Sequence, residues 1–301
     1  MKAKYLLLPL AFLAVAMVSC GDDDDVRKTS IEKSDVNVNA NKSADPSARR
    51  WEIPALNNGN DYITHYTGDG ELNYALEWNK SANHSQWVAY RYDNYLNKQK
   101  VGRSDEWGAD PYYNSQPQYQ IDIQTFKGYN RGHLVGSAER LYSREANVQT
   151  FYMTNMSPMN GNFNSEYWGE IEDRVRDWGR SCSAGDTLYV VKGGTIDDRI
   201  NGSVSLRTTN GSRIDMVVPK YYYIAVLSLS ADGTAKAIGF WMEHKDYANT
   251  SSSFLKELRR GSACSVDELE ERTGIDFFCN VPDWIENFVE KAYTLSDWNG
   301  M

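Results

Sequence analysis

No stretch of this chain reaches the roughly 18–20 consecutive apolar residues that a bilayer-spanning helix needs, which excludes a multi-pass membrane protein. Four histidines and four cysteines are all that 301 residues contain. No two cysteines form a CxxC pair, so the usual framework for structural zinc is missing. Low-complexity bulk and internal repeats are absent as well. With 41% hydrophobic and 24% charged residues, neither a largely disordered chain nor a collagen-like one fits. Excess positive charge is lacking: 32 basic residues face 41 acidic ones, for a net charge of −9. That argues against coating nucleic acid by bulk charge and leaves room for a local basic site. Aromatic side chains are plentiful, with 20 Tyr and 9 Trp. They suit sheet-rich structure and ligand stacking alike.

The first twenty residues read as an export leader, residues 1–19, ending before Cys20. Lys2 and Lys4 supply the positive start, Leu6 to Val18 the short apolar stretch, and Ser19 the small residue before Cys20. Met17-Val18-Ser19-Cys20 resembles a bacterial lipobox, with methionine where leucine is usual, and the run Asp22 to Asp25 resembles a surface-export tag of Bacteroidetes lipoproteins. These features predict lipidation at Cys20 and an outer-membrane lipoprotein, periplasmic or at the cell surface, held to the membrane by acyl chains alone. A plain cleaved leader with a solvated acidic start is the simpler alternative. From residue 21 to residue 50 the chain offers only Ile31, three Val and three Ala as apolar side chains. So few cannot offset ordering entropy, and residues 20–50 read as a flexible acidic and polar tether. Trp51 opens a single domain, 51–301, with no second break in composition.

Cys182, Cys264 and Cys279 remain after Cys20. Cys264 and Cys279 flank a short helical pattern and could close a local disulfide loop; three buried thiols are the alternative. Strand signals run through Trp87–Tyr92, Asp186–Lys192, Arg213–Pro219, Tyr221–Ser230 and Ala235–Trp241. Helical spacing appears over Ser165–Trp178, Ser252–Arg259 and Val266–Arg272, with Pro282–Ala292 a further candidate. Strands outnumber helices without regular alternation, so the class is α+β around a central antiparallel sheet flanked by helices.

Four histidines make the search for a general base short. His65, His84 and His244 sit in plain contexts and read as surface or packing residues. His133 follows Gly128-Tyr129-Asn130-Arg131-Gly132. In an extended segment, residues two apart share a side, so Arg131 and His133 face one ligand. A guanidinium beside a neutral imidazole suits a phosphate, one holding the anion while the other takes a proton from water. Some thirty residues on, Asn164, Trp168, Glu172 and Arg176 recur every four positions, beside the apolar stripe Phe163, Tyr167, Ile171 and Val175. The apolar stripe faces the core and leaves Asn164, Glu172 and Arg176 toward a cleft. An amide oxygen suits Mg²⁺, which keeps several waters, one of them within reach of Glu172. From spacing alone, a surface helix with Glu–Arg pairs is the plainer alternative.

Together these segments resemble the DNA/RNA non-specific endonucleases of the ββα-metal (His-Me finger) fold. Their motifs are D-R-G-H, then T-N-x-[ST]-P-Q, then N-x₃-W-x₃-E on a helix. Here they stand as Asn130-Arg131-Gly132-His133, Thr154-Asn155-Met156-Ser157-Pro158-Met159, and Asn164, Trp168, Glu172 with Arg176 beyond. Ala138-Glu139-Arg140 resembles the A-[DE]-R after the histidine, and Thr273 to Phe278 the closing segment. The resemblance implies a metal-dependent hydrolase of DNA and RNA phosphodiesters that leaves 5′-phosphates. It implies His133 as general base and Asn164 as the one direct ligand of Mg²⁺, or of Mn²⁺ in its place. Glu172 then binds metal-coordinated water, Arg131 contacts phosphate, Asn155 orients the site and Arg176 stabilises the transition state. Asn130 and Arg140 are the further substrate-binding candidates. Asn130 stands where the motif has aspartate, which implies lower activity or a shifted pH optimum. Met159 replaces a glutamine.

The segment Phe126–Lys220 carries 12 basic and 11 acidic residues, so a polyanion is least repelled there. No obligate protein partner is evident. Two other readings stand beside the nuclease: a surface lipoprotein that binds polymers, and a nuclease-like fold with impaired catalysis, hinted at by Asn130.

Overall fold

The computed structural model describes residues 36–113, 120–248 and 250–301. The predicted leader, Cys20 and the acidic run lie outside the described residues. Eleven strands are described: β1 Asp61–Tyr66, β2 Leu72–Asn79, β3 His84–Tyr92, β4 Asn130–His133, β5 Met156–Met159, β6 Thr187–Gly194, β7 Ile200–Arg207, β8 Arg213–Pro219, β9 Tyr221–Leu229, β10 Ala235–Glu243 and β11 Ala263–Cys264. The helices are α1 Arg144–Gln149, α2 Gly169–Arg180, α3 Ser252–Ser262, α4 Val266–Thr273 and α5 Asp283–Val289. A π-helical turn, Phe163–Trp168, leads directly into α2.

Seven strands form an antiparallel sheet in the order β1-β2-β3-β6-β9-β10-β11, while β4 pairs β5 and β7 pairs β8 in two separate ribbons. Strand β9 shows why its sequence is an unbroken apolar run. Tyr222, Ile224 and Val226 enter one core with Ile171, Val175 and Trp178 of α2. Tyr223, Ala225 and Leu227 enter a second core with Val266 and Leu269 of α4 and Ile285 and Val289 of α5. Successive side chains point to opposite faces, and helices cover both faces, so no polar alternation remains.

The five strand readings and the α+β class agree with this arrangement. Strands β1, β2, β4, β5, β7 and β11 lay outside those readings. In β1 and β2 the pattern is interrupted by His65, Asn73 and Glu77, all buried. Each is polar but partnered: His65 Nε2 lies 2.8 Å from Asp110, Asn73 donates to Ala146 O, and Glu77 accepts from Asn57 N and Asn60 Nδ2.

Two expectations are corrected. Residues 36–50 are not a free tether; they are laid along the C-terminal segment. Asn37 Nδ2 donates to Cys279 O and Val281 O, Asn41 Nδ2 to Ala48 O and Pro54 O, and Asn280 Nδ2 to Ala48 O, Arg50 O and Ile53 O. Apolar burial is scarce there, as the composition says, but amide-to-backbone bonds hold the segment instead. The second correction concerns Cys264 and Cys279, which are both free thiols. Cys264 is fixed opposite Gly239 at the sheet edge, whereas Cys279 Sγ packs on Ile53 O.

His84 shows how the sheet reaches the small ribbon. Its Nδ1 lies 2.6 Å from Ser85 O and its Nε2 2.6 Å from the hydroxyl of Ser157 on β5, which meets the Tyr222 hydroxyl at 2.6 Å. Burial pushes the His84 imidazole down to about 4. An imidazole depressed from its ordinary value makes the unfolded state bind the extra proton, so stability is complete above about pH 6.5 and is lost as pH falls toward 4. Melting temperature should fall more steeply over that window in the wild type than in His84→Gln, by an equivalent of at most about 3 kcal/mol. Parallel curves for the two proteins would remove His84 from this account.

Candidate active site

Antiparallel pairing sets Gly132 opposite Ser157 and His133 opposite Met156. The pairing is close because position 132 has no side chain: a Cβ there would lie 2.3 Å from Met159 Sδ and 3.0 Å from its Cβ. Asn155, fully buried, then fixes the chain beyond the histidine. Its Oδ1 accepts from Val135 N at 2.8 Å, its Nδ2 donates to Val135 O and Thr150 O, and its carbonyl accepts from Leu134 N. Asn155 thus orients the site without lining it.

Asn130, Arg131, His133 and Asn164, all singled out from the sequence, line one cavity of about 370 Å³ together with Arg103, Trp107, Thr125, Phe126 and Tyr129. Neither ring nitrogen of His133 has a hydrogen-bond partner among the described residues, and Nε2 is buried. The ring is held by packing instead, its centroid 5.0 Å from Phe151 edge-on and 5.4 Å from Trp107. Burial, then the charges of Arg103 and Arg131, push its pKa down to about 3. The imidazole is therefore neutral and able to accept a proton at physiological pH. Arg131 lies 3.5 Å over the Trp107 ring and has no carboxylate partner among the described residues. A cation stacked on an indole and left unpaired is prepared for an anion.

The helix after β5 supplies the other side. Phe163, Tyr167, Ile171 and Val175 are all buried, as their spacing predicts, and Trp168 joins them. The π-helical turn widens the helix at its start and places the Asn164 amide in the cavity wall, where it makes no hydrogen bond. Such turns recur at functional sites. Glu172, one α-helical stretch further, lies outside the cavity lining and accepts a 2.7 Å bond from Lys192 Nζ on β6. Lys192 also bonds both carboxylate oxygens of Glu139, at 2.7 and 2.8 Å, and Glu139 in turn accepts from Gly136 N. Burial, with Glu139 adding repulsion, raises the Glu172 carboxyl above its ordinary value against the pull of Lys192. One oxygen of Glu172 is left without a hydrogen bond. The amide oxygen of Asn164 and the free carboxylate oxygen of Glu172 are both hard donors of the kind that suit a divalent cation such as Mg²⁺.

Three expected roles sit differently. Arg140 is fully buried, stacked on Tyr90 and Tyr92 at 4.3 and 4.9 Å and bonded to Arg91 O, so it cannot meet a substrate. Arg176 is ion-paired with Asp173 on its own helix and does not line the cavity. Asn130 does line it, but its amide makes no orienting bond to His133. Lys192, Trp107, Phe151 and Arg103 were not singled out from the sequence. Only Lys192 carried a signal there, as the lone charge in the apolar run of β6.

A model of the DNA/RNA non-specific endonuclease family matches residues 57–284. A nuclease of Nostoc sp. is 31% identical over 228 residues, 72% of this chain and 75% of that one. Nuclease 1, mitochondrial, of Schizosaccharomyces pombe is 29% identical over 62% of this chain and 58% of its own length. The mouse mitochondrial nuclease EXOG is 24% identical over 68% of this chain and 55% of its own length. Against these two the chain spans little more than half of the relative. The crystal structure of an EndoG/EndoGI complex superposes with a TM-score of 0.58 at 19% identity, over 78% of this chain and 91% of that one. The fold is accordingly the ββα-metal fold, its two strands and helix being β4, β5 and α2.

Removing the ammonium of Lys192 leaves Glu139 and Glu172 buried together without a counter-charge. Lys192→Met should lower unfolding free energy by about 3–5 kcal/mol, read from chemical denaturation. A loss no larger than that of a surface substitution would show that the cluster carries no such strain.

Proposed function

Because the chain belongs to the DNA/RNA non-specific endonuclease family, we propose that it hydrolyses phosphodiester bonds of both DNA and RNA, with Mg²⁺ as cofactor or Mn²⁺ in its place. The observation that carries this reading is the meeting of three groups on one cavity: a neutral imidazole, a guanidinium with no carboxylate partner among the described residues, and an amide free of hydrogen bonds. Arg131 binds the substrate phosphate, with Arg103 adding charge at the same wall. His133 takes the proton of the attacking water on a ring nitrogen. Its basicity is low because burial disfavours the charged ring and two guanidinium groups face it. A phosphate held by Arg131 cancels much of that field and raises the basicity as substrate binds. Asn164 would hold the metal directly and Glu172 in the outer sphere, Lys192 fixing the position of Glu172. Once bound, the ion supplies Lewis acidity to the scissile phosphate and its leaving oxygen.

Recognition through phosphate alone fits a cavity whose charged lining residues, Arg103 and Arg131, are both cations. The test uses supercoiled plasmid and total RNA, with Mg²⁺ or with EDTA. Both substrates should be degraded in the metal only, and less at higher salt. His133→Ala should lose roughly 10²–10⁴-fold in rate with its circular dichroism unchanged. Intact plasmid and RNA after incubation with folded wild-type protein and metal would sink the catalytic reading and favour polymer binding.

The same reading includes export and anchoring through a lipidated Cys20 to the outer membrane, supported by Lys2, Lys4, the Leu6–Val18 stretch and Ser19. In cells fed labelled fatty acid, wild-type protein should take up label and Cys20→Ala should not. Equal labelling of the two would overturn the anchor.

A further inference from the structure

On the other face of the sheet from the cavity, α4, the segment after it and α5 bring five carboxylates together. Asp267 and Glu270 stand one turn apart on α4, Asp276 follows the helix, and Glu286 and Glu290 stand one turn apart at α5. Carboxylate oxygens of Asp267, Glu270 and Glu290 all lie within 4.8 Å of one another. Among the described residues no Lys, Arg or His pairs with any of the five. Asn39 bridges two of them, its Nδ2 lying 3.1 Å from Asp276 and 2.7 Å from Glu286, and Glu270 accepts from Phe277 N at 2.7 Å.

Glu290 is the telling member. It is 4% exposed, its Oε1 is buried without a partner, and its side chain makes no hydrogen bond or ion pair. A carboxylate taken out of water in that state is among the costliest arrangements a protein can hold, unless a cation is meant to share it. Its surroundings are otherwise firmly built: Glu290 O accepts from Asp267 N at 3.1 Å, which ties the end of α5 to the start of α4. Three carboxylates contributing one or two oxygens each, with water completing the shell, suit the flexible six-to-eight oxygen coordination of calcium better than the strict octahedron of magnesium.

We propose that Asp267, Glu270 and Glu290 form a second, structural site for a hard divalent cation, with calcium the ion that fits, separate from the cavity of His133. Burial and mutual repulsion push the Glu290 carboxyl up to about 10 and that of Glu270 to about 8, so without a cation these groups keep their protons at neutral pH. The ion would displace those protons and clamp α4 to α5 over the sheet.

The test uses the full chain carrying Asn164→Ala, so that metal at the cavity does not contribute. After EDTA treatment and dialysis, calcium is titrated while melting temperature is followed and binding is measured by calorimetry. The expected result is one calcium per chain and a saturable rise of about several degrees. Adding Glu290→Gln should abolish the calcium shift while leaving the metal-free melting temperature little changed at neutral pH, because a neutral amide then stands in for a neutral acid. Glu270→Gln, at a half-buried position, should also abolish the shift and guards against a misfolded first variant. No calcium-dependent shift in the Asn164→Ala protein, or a shift that survives both glutamine variants, would overturn the proposal.

Discussion

One buried ammonium group holds the catalytic side of this molecule in shape. Lys192 is fully buried on β6 and is bonded to Glu139, just after the histidine strand, and to Glu172 on α2. The sheet, the turn after the histidine strand and the helix thus share a single cation. Its surroundings close the arrangement. Tyr90 and Trp168 place their rings 5.5 and 5.6 Å from the ammonium, and Gly136 leaves the room that brings both carboxylates against its backbone. Such a cluster costs desolvation energy that a hydrophobic replacement would avoid, so its value lies in fixing relative position more than in stability.

The four histidines show the same chemistry sorted by environment. His65 is held by Asp110, and His84 by Ser85 and Ser157. His244 takes the Asn160 N–H on Nε2 and reaches Pro219 O through Nδ1. These three are packing pieces: both ring nitrogens of His84 and His244, and Nε2 of His65, are engaged by the scaffold. His133 is the one left with both nitrogens free, gripped by aromatic faces that restrain the ring without consuming its lone pair. His84 and His244 also brace the strand and the turn that lead to the cavity, so the engaged histidines help place the free one.

Much of this was legible in the sequence, and the boundary has a physical basis. Strands buried on both faces announce themselves as apolar runs, and β3, β6, β9 and β10 were readable for that reason. Strands β1 and β2 were not, because their buried polar residues are satisfied by partners far away in the chain. The residues of the cavity that sit in short motifs, Arg131, His133 and Asn164, were found. Trp107 and Phe151 were not, since an aromatic residue in an irregular loop shows no periodicity. Arg140 was misplaced because a motif position says which residue is present but not which way it points. Residues 36–50 were misread for a related reason: composition counts apolar surface and is blind to asparagines that serve backbone groups elsewhere.

The π-helical turn at Phe163–Trp168 accommodates one residue more than an ordinary helix would over the same rise. That surplus residue is taken up by the wider winding, so two surfaces with separate obligations keep their phase across it. Behind it, α2 must keep Ile171, Val175 and Trp178 against the sheet; ahead of it, Asn164 must look into the cavity. Deleting a single residue inside the turn would let it relax to regular winding with the residues before it and α2 both close to their present phase, because six residues of the wider turn sweep about the same angle as five of α-helix. The segment can therefore lose that residue while the flanking surfaces hold their places, so a gap of one there is a milder change than a gap of one inside α2, which would turn one surface by about 100° against the other.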